Sequence, residues 1–190
     1  RLVKDGREDV WEQVDVPHTW NAKDGTSPDY YRGDGTYRYT LSVSPAMMKK
    51  RIFLRFEAAS QKAEVKVNGQ EVGEHVGGFN AFCFEITPYV HSGENLLEVA
   101  VSNRKELNIA PLEGDFTVFG GIYRPVSLLL LPKACITPLD YASSGVYVSQ
   151  QVGERRADLS VVAKVDNRLK RVKELPVKTD VFDAAGKLFA

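Results

Sequence analysis

Residues 63–89, AEVKVNGQEVGEHVGGFNAFCFEITPY, contain the pattern that decides the fold. Val65 and Val67 alternate with charged residues, which is typical of a strand with one apolar face and one wet face. Asn68-Gly69 follows directly, and both residues tolerate the positive φ values of a two-residue type I′ turn. The stretch therefore predicts a β-hairpin whose tip is Asn68-Gly69.

The chain that follows the turn is expected to return to the same core. The return strand should start near Gln70 and break at Gly73, and Gly77-Gly78 then allows a sharp change of direction. Three alternate apolar residues predict a further strand that faces the same core, namely Phe82, Phe84 and Ile86.

Period-two alternation, or an almost continuous apolar run at 126–131, also predicts strands elsewhere, and no long stretch shows helical periodicity. The predicted strands are residues 37–43, 52–56, 97–101, 126–131, 145–150, 157–165 and 176–182. Residues 126–131 are apolar on both faces, so we expect this strand to be covered on both sides. Residues 132–138 have a proline at each end and are expected to form a linker. The sequence thus predicts an all-β protein.

The charge balance and the apolar pattern exclude several classes of protein. Lys+Arg and Asp+Glu number 25 each, so the formal net charge is zero. A nucleic-acid-binding protein usually carries a basic face, and a polybasic membrane anchor also needs an excess of positive charge. No apolar run approaches the roughly 20 residues that a membrane-spanning helix requires. We therefore expect no nucleic-acid partner and no membrane span.

The two cysteines, Cys83 and Cys135, have the spacing of neither a disulfide framework nor a metal site. Cys83 lies in a predicted strand, where a thiol packs as a small hydrophobic group. We predict that both cysteines are free. The three histidines also lack the spacing of metal ligands.

Three motifs in this order resemble the N-terminal β-sandwich of glycoside hydrolase family 2, which includes β-galactosidases, β-glucuronidases and β-mannosidases. They are V-P-H-T-W-N at 16–21, V-N-G…H-x-G-G-F…F-E-I-T at 67–87 and G-D-F…G-G-I-Y-R at 114–124. The resemblance implies a jelly-roll-like (galactose-binding-like) sandwich over residues 1–135. It also implies the first, truncated part of an immunoglobulin-like domain over residues 138–190, because such a sandwich needs about 100 residues.

The resemblance further implies a retaining glycosidase that acts on terminal β-linked sugars and is most similar to β-galactosidase. Both catalytic glutamates of the family lie on a (β/α)₈ barrel, and this chain lacks the strand–helix alternation of such a barrel. We therefore expect no catalytic residue here. The chain would shape the sugar pocket and support the barrel, so its expected partners are the carbohydrate and the barrel, with a homo-oligomer left open.

Three residues are candidate substrate contacts. The resemblance implies that Asp115 lies on a loop that reaches the terminal sugar or a neighbouring sodium ion, and a carboxylate suits both. Asp115 could equally stabilise its own loop by accepting backbone N–H groups. Arg32 and Asp34 are nearest to the place where β-galactosidases use an Asn. Arg32 could bind a carboxylated or sulfated sugar, and a surface salt bridge is the alternative.

No cofactor is expected in this chain itself, and a monovalent or divalent cation in the full enzyme is left open. Two other functional classes also stay open. A stand-alone carbohydrate-binding module should end after Leu131 and expose aromatic residues that stack on sugar rings. A structural adhesion sandwich would have no reason to keep an acidic loop that faces a partner domain.

Overall fold

The computed structural model describes residues 2–3, 11–112, 114, 116–171 and 174–189. Within these residues the strands are β1 (Leu2–Val3), β2 (Asp34–Val43), β3 (Arg51–Phe56), β4 (Lys62–Val67), β5 (Gln70–Val76), β6 (Phe82–Glu85), β7 (Gly93–Ser102), β8 (Val126–Leu131), β9 (Ala134–Ile136), β10 (Val146–Val152), β11 (Ala157–Ala163) and β12 (Val165–Asn167). The helices of this part of the chain are two short 3₁₀ segments, Met47–Lys49 and Thr87–Tyr89. Neither is long enough to cross a membrane. The prediction of an all-β protein is confirmed.

Two antiparallel sheets pack face to face as a sandwich. One sheet has the strand order β1-β2-β7-β4-β5, and the other has the order β6-β3-β8. Along β4 and β7 every second residue is buried, as expected when successive side chains point to opposite faces of a strand. The core between the sheets includes Leu41, Val43, Ile52, Leu54, Phe56, Val65, Val67, Val99 and Val101.

The β4–β5 hairpin turns at Asn68-Gly69, where φ is 52° and 78°. The predicted turn is therefore confirmed. β5 does not end at Gly73, however, and stays paired with β4 as far as Val76. A shift in the pairing directly after Val65 takes up one extra residue, as a β-bulge does, and lets the ladder continue.

β3 is buried on both faces. Phe53 is 0% exposed and Arg51 is 3% exposed, on the face opposite the core. Residues from the second half of the chain cover this face. Arg51 contacts Asp166 of β12, and the Arg55 guanidinium donates a hydrogen bond to the Ala142 carbonyl.

Other segments also differ from the predictions. Residues 132–138 are not simply a linker, because they contain β9, which pairs with β12. Residues 176–182 form no ladder with the rest of the described chain and contribute only an isolated bridge to Leu188. A strand needs a hydrogen-bonded neighbour, which alternation alone does not supply.

Leu130 of β8 is 42% exposed, so this strand is not covered on both sides by the described residues. The division of the chain at residues 135 and 138 stays a prediction.

A groove of about 780 Å³ is open between the sheets beside β2 and β8. Its lining includes residues 11–16, Leu54 and Leu128. Tyr39 alternates with Leu41 along the same strand, yet it lines this groove and is 64% exposed, whereas Leu41 is buried.

Candidate functional site

The first and last sequence motifs meet at the end of the sandwich where β2 begins. The His18 backbone N–H donates to the Ile122 carbonyl at 2.7 Å. His18 Nδ1 lies 2.8 Å from the Tyr37 hydroxyl, which also accepts from the Ile122 N–H at 3.3 Å. Burial raises the pKa of Tyr37 to about 12 and lowers the pKa of His18. Both side chains are therefore mainly neutral near pH 7 and hold the two motifs together.

The central motif joins this cluster through Gly78 and Phe79. The Tyr123 hydroxyl donates to the Gly78 carbonyl, and Arg124 Nη1 donates to the Phe79 carbonyl at 3.1 Å. Three motifs that are far apart in the sequence thus form one hydrogen-bonded unit.

Gly120 and Gly121 permit the close approach of these segments. A Cβ atom on Gly120 would lie 2.2 Å from the Trp20 ring, so a larger residue would push this ring out of place. Gly121 has a φ of 116°, and a Cβ there would lie 2.6 Å from both the His18 carbonyl and the Tyr37 hydroxyl. This glycine pair therefore has a packing role.

Two buried asparagines connect the loop before β2 to the end of β7. Asn103 is 0% exposed and Asn21 is 1% exposed. Asn103 Nδ2 donates to the Val118 carbonyl at 2.8 Å and to Asn21 Oδ1 at 3.3 Å, while Asn103 Oδ1 accepts from the Gly33 N–H at 2.8 Å. Asn21 Oδ1 also accepts from the Gly120 N–H at 2.8 Å. The amide groups satisfy backbone groups that have no sheet partner.

Sequence reasoning missed the importance of this network. Asn21 was noted only as the last letter of the first motif, and neither Asn103 nor Gln61 was singled out. The position of Asn103 could have indicated this role, because an Asn directly after an alternating strand is well suited to form hydrogen bonds with loop backbone groups.

Asp115, the principal candidate for a sugar contact, lies outside the described residues. Both flanks of its loop are anchored: Gln61 Nε2 donates to the Pro111 carbonyl at 3.2 Å, and the Val118 N–H donates to the Tyr30 hydroxyl at 3.0 Å. In the part of the chain that the structure describes, no group of three or more His, Cys, Asp or Glu residues could hold a metal ion. The role of Asp115 toward sugar or cation stays a prediction.

Asp34 is held by Arg104. Arg104 Nε lies 3.1 and 2.9 Å from the two carboxylate oxygens, and Arg104 Nη2 lies 2.8 Å from one of them. The hydrogen bond from Arg104 lowers the pKa of Asp34, so this carboxylate is ionised at neutral pH. The predicted sugar contact of Asp34 stays a prediction, and the observed role is that of an ion-pair partner.

Arg32 is bound to neutral acceptors. Its Nε donates to the Asn103 carbonyl at 2.8 Å, and its Nη2 donates to Gln61 Oε1 at 3.2 Å. The alternative prediction, a surface salt bridge, is not seen among the described residues. Because Gln61 also holds Pro111, one side chain links Arg32 to the flank of the Asp115 loop.

Cys83 and Cys135 are both free, as predicted. Burial raises the pKa of Cys83 to about 11, against the opposing charge of Arg55, so the reactive thiolate is scarce at neutral pH. His75 stacks on Phe82 with 4.3 Å between ring centroids, and burial lowers the pKa of this histidine. These are the properties of packing residues.

The sequence matches the family described as "Glycosyl hydrolases family 2, sugar binding domain" over residues 5–132. The chain belongs to glycosyl hydrolases family 2. The matched range contains all three motifs, so the family prediction made from them is confirmed.

Family 2 proteins of two named activities are similar to this chain. The β-glucuronidase of Bacteroides fragilis is 48% identical over 157 residues, which cover 81% of this chain and 22% of the relative. The β-galactosidase of Thermoanaerobacter pseudethanolicus is 31% identical over 190 residues, which cover 94% of this chain and 24% of the relative. The chain therefore spans less than a quarter of the length of these relatives.

Among solved structures, Bacteroides uniformis β-glucuronidase 2, covalently bound to cyclophellitol-6-carboxylate aziridine, is similar with a TM-score of 0.85 and 38% identity. The likeness covers 95% of this chain and 22% of that protein. The sandwich described above is thus shared with a family 2 enzyme.

Proposed function

We propose that this chain is the non-catalytic N-terminal portion of a retaining family 2 β-glycosidase, where it shapes the sugar pocket and supports a catalytic barrel. The match of residues 5–132 to the sugar-binding domain of the family carries this proposal. The chain spans 22% of the B. fragilis β-glucuronidase, so most of such an enzyme lies outside it.

The carboxylates near the loop network support a non-catalytic role. A retaining mechanism needs two carboxyl groups about 5–5.5 Å apart that are available to act as acid and nucleophile. Asp24 instead accepts hydrogen bonds from Asn21 Nδ2 and from the Tyr31 N–H. Asp34 is paired with Arg104. Carboxylates engaged in this way stabilise loops, and the acid and the nucleophile would come from the barrel.

The substrate class that we favour is a terminal β-glucuronide. Support comes from the higher identity to the β-glucuronidase, 48% against 31% for the β-galactosidase. The second candidate is a β-galactoside, which is supported by the resemblance of the three motifs to β-galactosidases and by the T. pseudethanolicus relative. Within either activity, Asp115 is the proposed contact to the sugar or to a cation beside it.

The activity of the full-length protein tests this proposal. We would measure kcat/KM for 4-nitrophenyl β-D-glucuronide and 4-nitrophenyl β-D-galactoside, and follow the anomer released first by NMR. We expect faster glucuronide hydrolysis with the β-anomer released first. A preference for the galactoside would favour the second candidate, and hydrolysis of neither substrate, or first release of the α-anomer, would contradict the proposed mechanism.

A further inference from the structure

We propose that the cleft between Phe79 and Tyr141 is the surface on which the catalytic barrel of the full-length protein docks. This inference rests on the proposed function, which supplies the barrel, and it assigns to named residues the contact through which this chain would support that barrel.

A cleft of about 500 Å³ lies between the sandwich and the segment that follows β9. Phe79 and Phe82 line it from the sandwich, and Leu139 and Tyr141 line it from the other side. Tyr141 is 90% exposed, Phe79 is 55% exposed and Leu139 is 40% exposed. Large apolar side chains that stay exposed around a concave surface are typical of a place where a partner binds.

The backbone holds Tyr141 in its exposed position. Tyr141 and Ala142 have φ values of 54° and 50°, in the left-handed region that residues with a side chain rarely adopt. Arg55 Nη1 donates to the Ala142 carbonyl. The Ser143 N–H and hydroxyl both donate to the Asp140 carbonyl, at 3.0 and 2.7 Å. A conformation of this kind persists only where its surroundings determine it, and it occurs mainly at functional sites.

The sandwich side of the cleft is also fixed before any partner binds. Arg124 Nη1 donates to the Phe79 carbonyl at 3.1 Å. Phe82 stacks on His75 with 4.3 Å between ring centroids. A surface that is already ordered loses little conformational entropy on association, so more of the contact energy remains as affinity.

The lining of the cleft can lose its contact with water at low cost. None of the described residues that line it is Asp, Glu, Lys or Arg. Burial lowers the pKa of His75 and raises the pKa of Cys83 to about 11, so both side chains are mainly neutral near pH 7. Burying an unpaired charge would be costly. The centres of protein interfaces are likewise depleted of charged residues and enriched in aromatic ones, so the cleft fits a protein partner.

Two observations favour the barrel as this partner. The chain spans 22% of the B. fragilis β-glucuronidase, so the largest potential partner is the rest of the same polypeptide, which is always present at a high effective concentration. Through Arg124, Phe79 is also bonded to the last motif, at the end of the sandwich where the three motifs meet. A barrel that completes a sugar pocket at this end would extend over the cleft.

The test is photo-crosslinking of the full-length protein that carries Tyr141→p-benzoylphenylalanine, which replaces one exposed aromatic residue by another. The matched control is Ser42→p-benzoylphenylalanine, at an exposed position between the buried Leu41 and Val43 of β2. After irradiation, crosslinked peptides are identified by mass spectrometry. We expect position 141 to crosslink mainly to peptides of the barrel, with a yield at least about tenfold above the control, because docking holds the two surfaces together.

Crosslinks that stay within the 190 residues of this chain, or no crosslink, would overturn the inference. Crosslinks to a second copy of the protein would also overturn it, and a mixture of isotopically light and heavy protein identifies them. If the Tyr141 variant does not fold, Phe79→p-benzoylphenylalanine on the opposite side of the cleft replaces it, with the same expected and contradicting results.

The wild-type protein separates failure of this inference from failure of the proposed function. If full-length wild type hydrolyses neither 4-nitrophenyl glycoside, the proposed function is wrong and the docking surface falls with it. If wild type hydrolyses one of them and position 141 does not crosslink to the barrel, only the docking surface is wrong.

Discussion

Asn103 is a single side chain whose amide group connects segments from three parts of the chain. It bonds the Gly33 N–H, the Val118 carbonyl and Asn21 Oδ1, and it has no exposed surface. In a low-dielectric interior such groups are strongly stabilising when paired and costly when a partner is lost. The loop arrangement at the candidate site therefore depends on a residue that alternation of apolar residues could not identify.

The change Asn103→Ala should destabilise the full-length protein by about 3 kcal/mol, because it leaves buried donor and acceptor groups of Gly33 and Val118 without partners. Differential scanning fluorimetry would show this as a lower melting temperature. The control is Asn80→Ala at an exposed position, which should change the melting temperature little. Equal effects of the two substitutions would show that the amide network is not important for stability.

Among the strands and turns, the sequence predicted most accurately those features that depend only on residues adjacent in the chain. Alternation and the Asn68-Gly69 pair were sufficient for β4, its turn and the start of β5. The bulge after Val65, the strand β9 and the burial of β3 on both faces were not predicted, because each depends on which distant segment pairs with or covers the element. For the same reason, the sequence identified the three motifs but did not predict the hydrogen bonds between them.

The turn of the central hairpin requires a left-handed conformation at Gly69. Gly69→Ala should destabilise the protein by about 1 kcal/mol, because φ is 78° there although nothing lies near the added Cβ. Gly153→Ala is the matched control, since Gly153 is not in the left-handed region and its Cβ would make only an ordinary contact at 3.5 Å. A Gly69→Ala melting temperature equal to that of the control would contradict the turn assignment.

At the scale of the whole molecule, Arg51 joins the sandwich to the second half of the chain. Its Nη2 lies 2.8 Å from Glu85 Oε2 on β6 and 2.7 Å from Asp166 Oδ2 on β12, and its side chain is 4% exposed. The sequence gives no sign of a pair whose members are 115 positions apart. The contact between the sandwich and the second half of the chain could therefore be learned only from the structure.

Asp166→Asn should lower the stability of the full-length protein by about 1–3 kcal/mol, because it removes one carboxylate from a buried guanidinium. The control Asp158→Asn affects an exposed pair with Arg156 and should have little effect on the melting temperature. If both variants melt like the wild type, the Arg51 cluster does not hold the two parts together.

The same cluster predicts a pH dependence. Hydrogen bonding to Arg51 lowers the pKa of Glu85 below 4.5, and for Asp166 the hydrogen bond and charge of Arg51 outweigh the opposing effect of burial and lower the pKa below 3.8. A lowered folded-state pKa stabilises the protein above the unfolded-state value, and this stabilisation is lost as the pH falls through the folded-state pKa. The difference in melting temperature between wild type and Asp166→Asn should therefore shrink below about pH 4.

The central claim is that this end of the sandwich forms part of the sugar site of a family 2 β-glycosidase. Its most direct test is kcat/KM of full-length Asp115→Ala on the preferred 4-nitrophenyl glycoside, measured together with the melting temperature. Loss of a charge-assisted contact to the sugar predicts a decrease of about 10–100-fold at an unchanged melting temperature. Asp158→Ala, at an exposed position in β11, should keep wild-type kinetics. Wild-type kinetics for Asp115→Ala as well would contradict the claim.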